Sequence, residues 1–327
     1  MVPLVSIIIP AFNAETYLEE TIRSALAQTW TNTEIIIVDD GSSDNTFQIA
    51  KAFESTTVKV IKQANAGASA ARNKALTYAQ GDYIQWLDHD DLLDPDKISK
   101  QLSDGVYAAS SRILLSSPFG VFFHRPRRAK FVQTSLWQDL TPLEYFFLKF
   151  SENAFLQTSC WLVSRQLTEL AGPWWEIRSP DDDGEYMCRV VAACVRIHFV
   201  PDAKVFWRVA HGGFSTMRTD ASLESLFMST CRSIEHFRGF EDNEQTRAAC
   251  VLYLQENLSS FYPEKPTIVA RSFALAQELG GTLHTPALMQ KYRLFELVFG
   301  YATTKRFARL AARLKAWLIS RLDKLLK

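Results

Sequence analysis

The chain has 327 residues, more than one compact hydrophobic core usually organises, so two domains, or one large domain with an extension, are expected. Lys+Arg and Asp+Glu number 36 each, and the zero formal charge removes the global electrostatic case for a nucleic-acid-coating protein. A composition of 47% apolar and 22% charged residues excludes a disordered chain.

The first apolar run, 5–9, is β-branched and without alternation, as expected of a strand buried on both faces of a parallel sheet. No basic segment precedes it and Pro10 and Asn13 interrupt it, so it reads as a strand and not as a signal peptide. Asn13 is placed to cap a helix in which Leu18, Ile22, Ala25 and Leu26 share one face and Glu15, Glu19 and Glu20 sit near the positive end of the dipole. A second strand at 35–38 ends in Asp39-Asp40-Gly41-Ser42-Ser43-Asp44, whose acids and serines suit the start of a helix bearing Phe47, Ala50 and Phe53. A third strand at 58–61, an alanine-rich helix over 68–79 and a fourth strand at 83–87 continue the alternation, and Asp94-Pro95 opens another helix.

Strands alternating with short helices predict a doubly wound, mostly parallel sheet with right-handed crossovers, whose ligands sit at the carboxyl ends of the strands. From 105 to 215 the pattern is mixed, with short apolar runs at 106–109, 158–163 and 205–209 that continue the sheet. Beyond Thr219 helical periodicity takes over, punctuated by Pro263, Pro266 and Pro286, which sets a boundary near 218 between an α/β catalytic region, 1–218, and a helical region, 219–327. No stretch reaches the roughly 18–20 uninterrupted apolar residues that span a bilayer. Five cysteines, Cys160, Cys188, Cys194, Cys231 and Cys250, form no CxxC pair, and their odd number argues for a reducing, cytoplasmic setting.

Asp88-His89-Asp90 follows the fourth strand directly. Alternate residues of an extended chain face the same way, so Asp88 and Asp90 can share one cation, and oxygen-only ligation suits Mg²⁺ or Mn²⁺. Taken alone, such a triplet also describes a solvated strand-to-helix turn. Its company is more specific. VSIIIPAFNAETYLEETIRSALAQT, EIIIVDDGSSDNT, NAGASAARNKAL and GDYIQWLDHDDLLDP, in this order over about the first hundred residues, closely resemble the family 2 glycosyltransferases with the A-type nucleotide-sugar-binding fold.

That resemblance implies an inverting enzyme that moves a sugar from a nucleotide-diphospho-sugar, commonly a UDP-sugar, to an acceptor hydroxyl with the help of Mn²⁺ or Mg²⁺. Pro10, Ala11 and Phe12 with Glu15 resemble the wall of the nucleotide pocket, Phe12 standing where a tyrosine is common. Asp39 and Asp40 resemble the acid pair of which one accepts the uracil N3–H, Asp40 being the first choice. Gly67 and Arg72 resemble the loop and the arginine near the nucleotide. Asp88 and Asp90 resemble the metal and donor acids. Ser179-Pro180-Asp181-Asp182-Asp183 resembles the acidic motif that carries the general base; Asp182 replaces a common glutamate and Asp181 blurs the register, and Asp183 is taken as the base. Phe206-Trp207-Arg208-Val209-Ala210-His211-Gly212-Gly213 resembles the late segment in which an arginine and a histidine return over the diphosphate and metal, making His211 a third candidate metal ligand. Trp161 and Trp174 are expected to offer ring faces to the acceptor, a saccharide or a lipid-linked glycan of the cell envelope.

Residues 303–327 carry a local net charge of +7, so the remainder is −7. Phe307, Leu310, Leu314, Leu318, Leu322 and Leu325 form a stripe at spacings of three and four. Such a helix either lies on an anionic membrane surface, here the inner face, or docks its stripe on the rest of the protein. Membrane contact is the expectation. Two rival readings remain on the residues alone. A non-catalytic nucleotide-sugar scaffold would keep the first hundred residues and lose the base. A nucleotidyltransferase would need a glycine-rich basic loop that residues 10–14 lack. A dinucleotide enzyme is disfavoured because no GxGxxG follows the first strand.

Overall fold

In the computed structural model the residues described are 2–103, 105, 110–209 and 219–325. The alternation read from the sequence becomes strand β1 (Val5–Ala11), helix α1 (Leu18–Leu26), β2 (Thr33–Asp39), α2 (Thr46–Lys51), β3 (Val58–Lys62), α3 (Ala68–Leu76) and β4 (Tyr83–Trp86). These strands pair in parallel, β1 lying between β2, with Ile7 opposite Ile35, and β4, with Ser6 opposite Ile84. Burial on both faces explains the β-branched runs: Ile7, Ile8 and Ile9 are all fully enclosed, each worth about 1.5–3 kcal/mol against leaving the side chain in water.

After β5 (Leu92–Leu93) and α4 (Lys97–Ser103) the chain forms β6 (Ile113–Ser116), β7 (Phe119–Phe122), β8 (Lys130–Phe131), α5 (Pro142–Glu152), β9 (Leu162–Ser164), α6 (Arg165–Ala171), α7 (Asp182–Ala193), β10 (Arg196–Phe199) and β11 (Val205–Arg208). The larger sheet runs β10-β6-β9-β4-β1-β2-β3, with β9 antiparallel to both neighbours, and the smaller runs β5-β11-β7-β8. The sheet is therefore mixed and mostly parallel. Then come α8 (Asp220–Phe240), α9 (Glu244–Phe261), α10 (Pro266–Glu278) and α11 (Arg293–Leu325), the last interrupted at Gly300, where φ is 74°. Helices α8 to α10 share the main core: Ile234, Phe237, Tyr253 and Leu258 are buried with the sheet's apolar residues, and Phe237 stacks on Phe146 at 4.9 Å.

Some local expectations shift. Leu26, assigned to the buried face of α1, is exposed. Asn13 does not cap that helix. It has φ 46° and accepts a hydrogen bond at Oδ1 from the Ser43 N–H, 3.0 Å away, so it ties two strand-end loops together, and α1 starts only after Tyr17. The 158–163 run divides into a single 3-10 turn, Thr158–Cys160, and β9. The 106–109 run and His211 lie outside the described residues.

Candidate active site

The carboxyl ends of β1, β2 and β4 meet along one rim. At the end of β2, Asp39 and Asp40 are both buried but differ in what they touch. The Asp40 carboxylate accepts from Gln63 Nε2, the Ala66 N–H and the Gly67 N–H, each at 2.8 Å. It is a clamp on the loop before α3. Gly67 sits there with φ 100°, a conformation other residues adopt only under strain. Asp39 Oδ1 accepts from the Ser42 N–H at 3.2 Å, whereas its buried Oδ2 has no hydrogen-bond partner among the described residues and stands 4.0 Å from Lys62 Nζ. The two acids of the pair thus differ: on Asp40 the donors from residues 63–67 converge, and Asp39 keeps one oxygen without a hydrogen bond among the described residues.

Pro10 and Ala11 are buried in β1, and the Ala11 carbonyl accepts the Asp40 N–H at 2.8 Å. Phe12 just beyond is 44% exposed, which leaves a ring face open at this rim. Glu15 Oε2 accepts from Asn45 Nδ2 at 3.0 Å and so braces the loop before α2.

Arg72 joins the two halves of the site. Its guanidinium donates to Asp88 Oδ1 and to Asp182 Oδ2, both at 2.9 Å, and lies over the Trp174 ring at 4.3 Å. Burial alone would lower its pKa, but Asp182 and Asp88 outweigh burial and hold it above its ordinary value. Ser69 Oγ donates to the same Asp182 oxygen at 2.9 Å. Asp182 is thus engaged, and burial keeps its carboxyl above the usual range despite Arg72. Asp183 next to it accepts only from Thr158 Oγ1, at 2.8 Å, among the described residues.

Asp181 turns away from this rim. Tyr253 of α9 donates to its Oδ2 at 3.4 Å, and burial pushes its carboxyl up to about 6, with Lys149 opposing and Asp183 and Asp182 adding. Its side chain lies across Gly184, where a Cβ would come within 2.1 Å of Oδ1, so a larger residue at 184 would require the Asp181 carboxylate to shift. Helix α8 braces the same segment: Ser229 Oγ donates to Ser179 Oγ at 2.8 Å, and His236 Nε2 lies 3.0 Å from Glu185 Oε1.

Beyond β4, the Asp88 carbonyl accepts the Asp91 N–H at 3.1 Å, and Thr21 Oγ1 lies 2.9 Å from the carbonyls of both His89 and Asp91, which fastens the turn to α1. Burial raises the Asp90 carboxyl's pKa, with His89 opposing and Asp88 adding; Asp91 is raised by burial and by Asp90 and Asp88. Asp88, Asp90 and Asp91 gather at one strand end, where Arg72 forms a salt bridge with Asp88 alone of the three, and oxygen donors of this kind fit a hard divalent cation. Asp88 and Asp90 are the ligands that fit. Among the described residues no group of three or more ligating side chains closes on one point.

The sequence reading missed Gln157, Thr158 and Asp91. Gln157 Nε2 donates to Asp88 Oδ2 at 3.2 Å and also to Asp91 Oδ2. Nothing local marks Gln157, which reaches the turn from a 3-10 segment far along the chain; Asp91, the third acid of the run, was visible. Arg208 does return to this turn, but as a buried strut: Nε donates to the Asp90 carbonyl at 2.7 Å and a terminal nitrogen to Glu20 at 2.6 Å. Trp161 and Trp174 do not wall an acceptor cleft. Both are buried, Trp161 edge-on to Tyr145 at 5.9 Å and Trp174 stacked on Tyr186 at 3.9 Å, because a cluster of large rings fills the space under α7.

The chain is similar in sequence and fold to known proteins. The sequence profile described as glycosyl transferase family 2 matches residues 6–170. A putative teichuronic acid biosynthesis glycosyltransferase, TuaG, of Bacillus subtilis is 47% identical over 103 residues, covering 31% of this chain and 41% of its own length. An uncharacterized glycosyltransferase of Rickettsia typhi is 46% identical over 101 residues, 31% of each chain. The match thus spans less than half of either relative. Among solved structures, S. aureus TarS 1-349 in complex with UDP-GlcNAc superposes with a TM-score of 0.68 at 18% identity, covering 94% of this chain and 92% of that one. The mannosyltransferase PcManGT from Pyrobaculum calidifontis, in complex with GDP-Man and Mn²⁺, gives 0.55 at 19% identity, covering 100% and 88%. At such identities the likeness is one of fold.

Proposed function

The chain belongs to glycosyl transferase family 2, and from that premise we propose that it is an inverting glycosyltransferase that moves a sugar from a nucleotide-diphospho-sugar, a UDP-sugar first among them, to an acceptor hydroxyl in cell-envelope or polysaccharide biosynthesis. The observation that carries this reading is the Arg72 bridge. One guanidinium holds Asp88 of the strand-end acids and Asp182 of the distant acidic run at 2.9 Å each, which leaves Asp183 beside them with a single hydroxyl partner.

In this mechanism Phe12 flanks the base, Asp39 accepts its N–H, and the Gly67 loop, held by Asp40, lies along the nucleotide. Asp88 and Asp90 would hold Mn²⁺ or Mg²⁺, which supplies charge neutralisation for the leaving diphosphate when bound. Asp183 accepts the proton of the acceptor hydroxyl as that oxygen attacks the anomeric carbon from the face opposite the diphosphate. One displacement inverts the centre and requires no covalent enzyme intermediate. Thr158 orients the Asp183 carboxylate, and Ser69 with Arg72 keeps Asp182 from competing for the same proton. The acceptor is a saccharide or lipid-linked glycan, and residues 303–327 place the enzyme on the inner face of an anionic membrane.

The test is a panel of nucleotide-sugars incubated with the native chain and Mn²⁺ or Mg²⁺, reading nucleoside diphosphate release. Release from one donor, absent in Asp183→Asn, supports the reading. Binding of a donor without any turnover, and with no effect of Asp183→Asn on it, would instead identify a nucleotide-sugar scaffold.

A further inference from the structure

Helix α11 is inside out. The residues it buries are Thr304, Lys305, Ser320 and Asp323, while Leu310, Leu314, Leu318 and Leu322 are 48–66% exposed. The exposed apolar surface continues across the break at Gly300 to Leu294, Leu297 and Val298, each 73–81% exposed. The polar residues fasten the helix at its two ends. Lys305 Nζ donates to Glu264 Oε2 at 2.6 Å on one side. On the other, Asp323, the single acid of residues 303–327, accepts from the His124 N–H at 2.9 Å and from Arg128 at 3.2 Å, and Ser320 Oγ lies 2.9 Å from His124 Nε2.

The segment so clasped is itself basic and ends in apolar residues: His124-Arg125-Pro126-Arg127-Arg128-Ala129-Lys130-Phe131-Val132. Arg127, Arg128, Lys130, Phe131 and Val132 are exposed. Phe131 lies across Gly120, where a Cβ would come within 2.4 Å of its ring, so the ring is held at the surface of the small sheet. A helix face and a loop face, each combining lysines or arginines with exposed apolar side chains, are therefore fixed side by side through Asp323.

We propose that α11 and residues 124–132 form one composite docking face for an anionic lipid bilayer, which deepens the membrane placement proposed above and is independent of the donor chemistry. Charge decides the occupant. A second copy of the same face would oppose a +7 segment to itself, and a neutral apolar partner would leave the flanking arginines and lysines uncompensated. An anionic bilayer satisfies the stripe with acyl chains and the cations with headgroups. The clasp also gives the face a direction. The 124–132 segment joins β7 to β8, β7 pairs with β11, and β11 ends at Arg208, the strut of the Asp90 turn. The bilayer is thereby held on the side of the small sheet, next to the donor rim.

The test is co-sedimentation of the full chain with phosphatidylcholine vesicles, with and without phosphatidylglycerol. The native chain is expected to bind only the anionic vesicles, less at high salt. Leu310→Ser with Leu314→Ser weakens binding by about a hundredfold, and Arg127→Glu with Lys130→Glu by at least about tenfold. Circular dichroism melts of these surface variants should match the native chain. Loss with the helix variant but none with the loop variant overturns the composite face and leaves a helix-only membrane contact. No binding by the native chain overturns both, as does concentration-dependent dimerisation, abolished by Leu310→Ser with Leu314→Ser, without vesicle binding. Failure of the donor chemistry would show separately, in nucleotide titrations that need no lipid.

Discussion

Helices α1 and α11 obey opposite rules. The first buries Leu18, Ile22 and Ala25 against the sheet and turns Glu19 and Glu20 to water; the last buries Thr304, Lys305, Ser320 and Asp323 and turns its leucines outward. In α1, apolar burial is what attaches the helix. In α11 the attachment is a few hydrogen bonds and ion pairs with one edge-on contact of Tyr301 and Tyr262, and the leucines stay exposed. Apolar burial thus fixes one helix while polar contacts fix the other, and substitutions should separate the two.

The largest effect is expected at the base. Asp183→Asn should lower turnover by about 10²–10⁴-fold, read as nucleoside diphosphate release, with nucleotide affinity within twofold to threefold of native by calorimetry. Next come residues that hold the donor half together. Ile8→Ala should cost about 2–5 kcal/mol and Arg72→Met about 3–5 kcal/mol, since it strands Asp88 and Asp182 without their shared cation; urea unfolding measures both. If either were silent, the rigid-scaffold side of the comparison would fail.

A smaller effect is pH-dependent. Lys97 is fully buried, its amine donates to Gln85 Oε1, and burial lowers its pKa to about 7 from 10.5. The unfolded chain then binds more protons than the folded one above pH 7, so this residue makes stability rise with pH through that region and withdraws the gain as pH falls through 7. Lys97→Met should flatten that rise, seen as a smaller difference between denaturant midpoints at neutral and at mildly alkaline pH. The smallest effect on stability is expected at Leu314→Ser, within about 0.5 kcal/mol of native, although the proposed docking face makes the same substitution costly for vesicle binding. A large loss of stability there would mean that the stripe packs on the protein after all.

Much of the donor half is legible in the sequence because its signals are local. The β-branched runs at 5–9, broken only by Ser6, and at 35–38 are what strands buried on both faces require, and the acids follow those strands closely. What escaped depends on groups brought together from far apart. The difference between Asp39 and Asp40 comes from donors of residues 63–67, which fill the Asp40 carboxylate and leave one Asp39 oxygen without a hydrogen bond among the described residues. Gln157 and Thr158 reach Asp88 and Asp183 from a short turn with no motif of its own. Tryptophan identity says nothing of whether a ring lines a cleft or a core, and Trp161 and Trp174 proved to be core. In α11 the stripe is evident from spacing, but its direction is set by where Asp323 and Lys305 find partners.

In the proposed mechanism the strand-end acids form a cation-assisted site for a nucleoside diphosphate. Its most direct test is isothermal titration of UDP into the native chain and into Asp90→Ala, each with and without Mn²⁺. Binding by the native chain should strengthen with the metal, and Asp90→Ala should lose that metal response. Binding by both proteins that is indifferent to Mn²⁺, or no binding of UDP or any other nucleoside diphosphate, would contradict it.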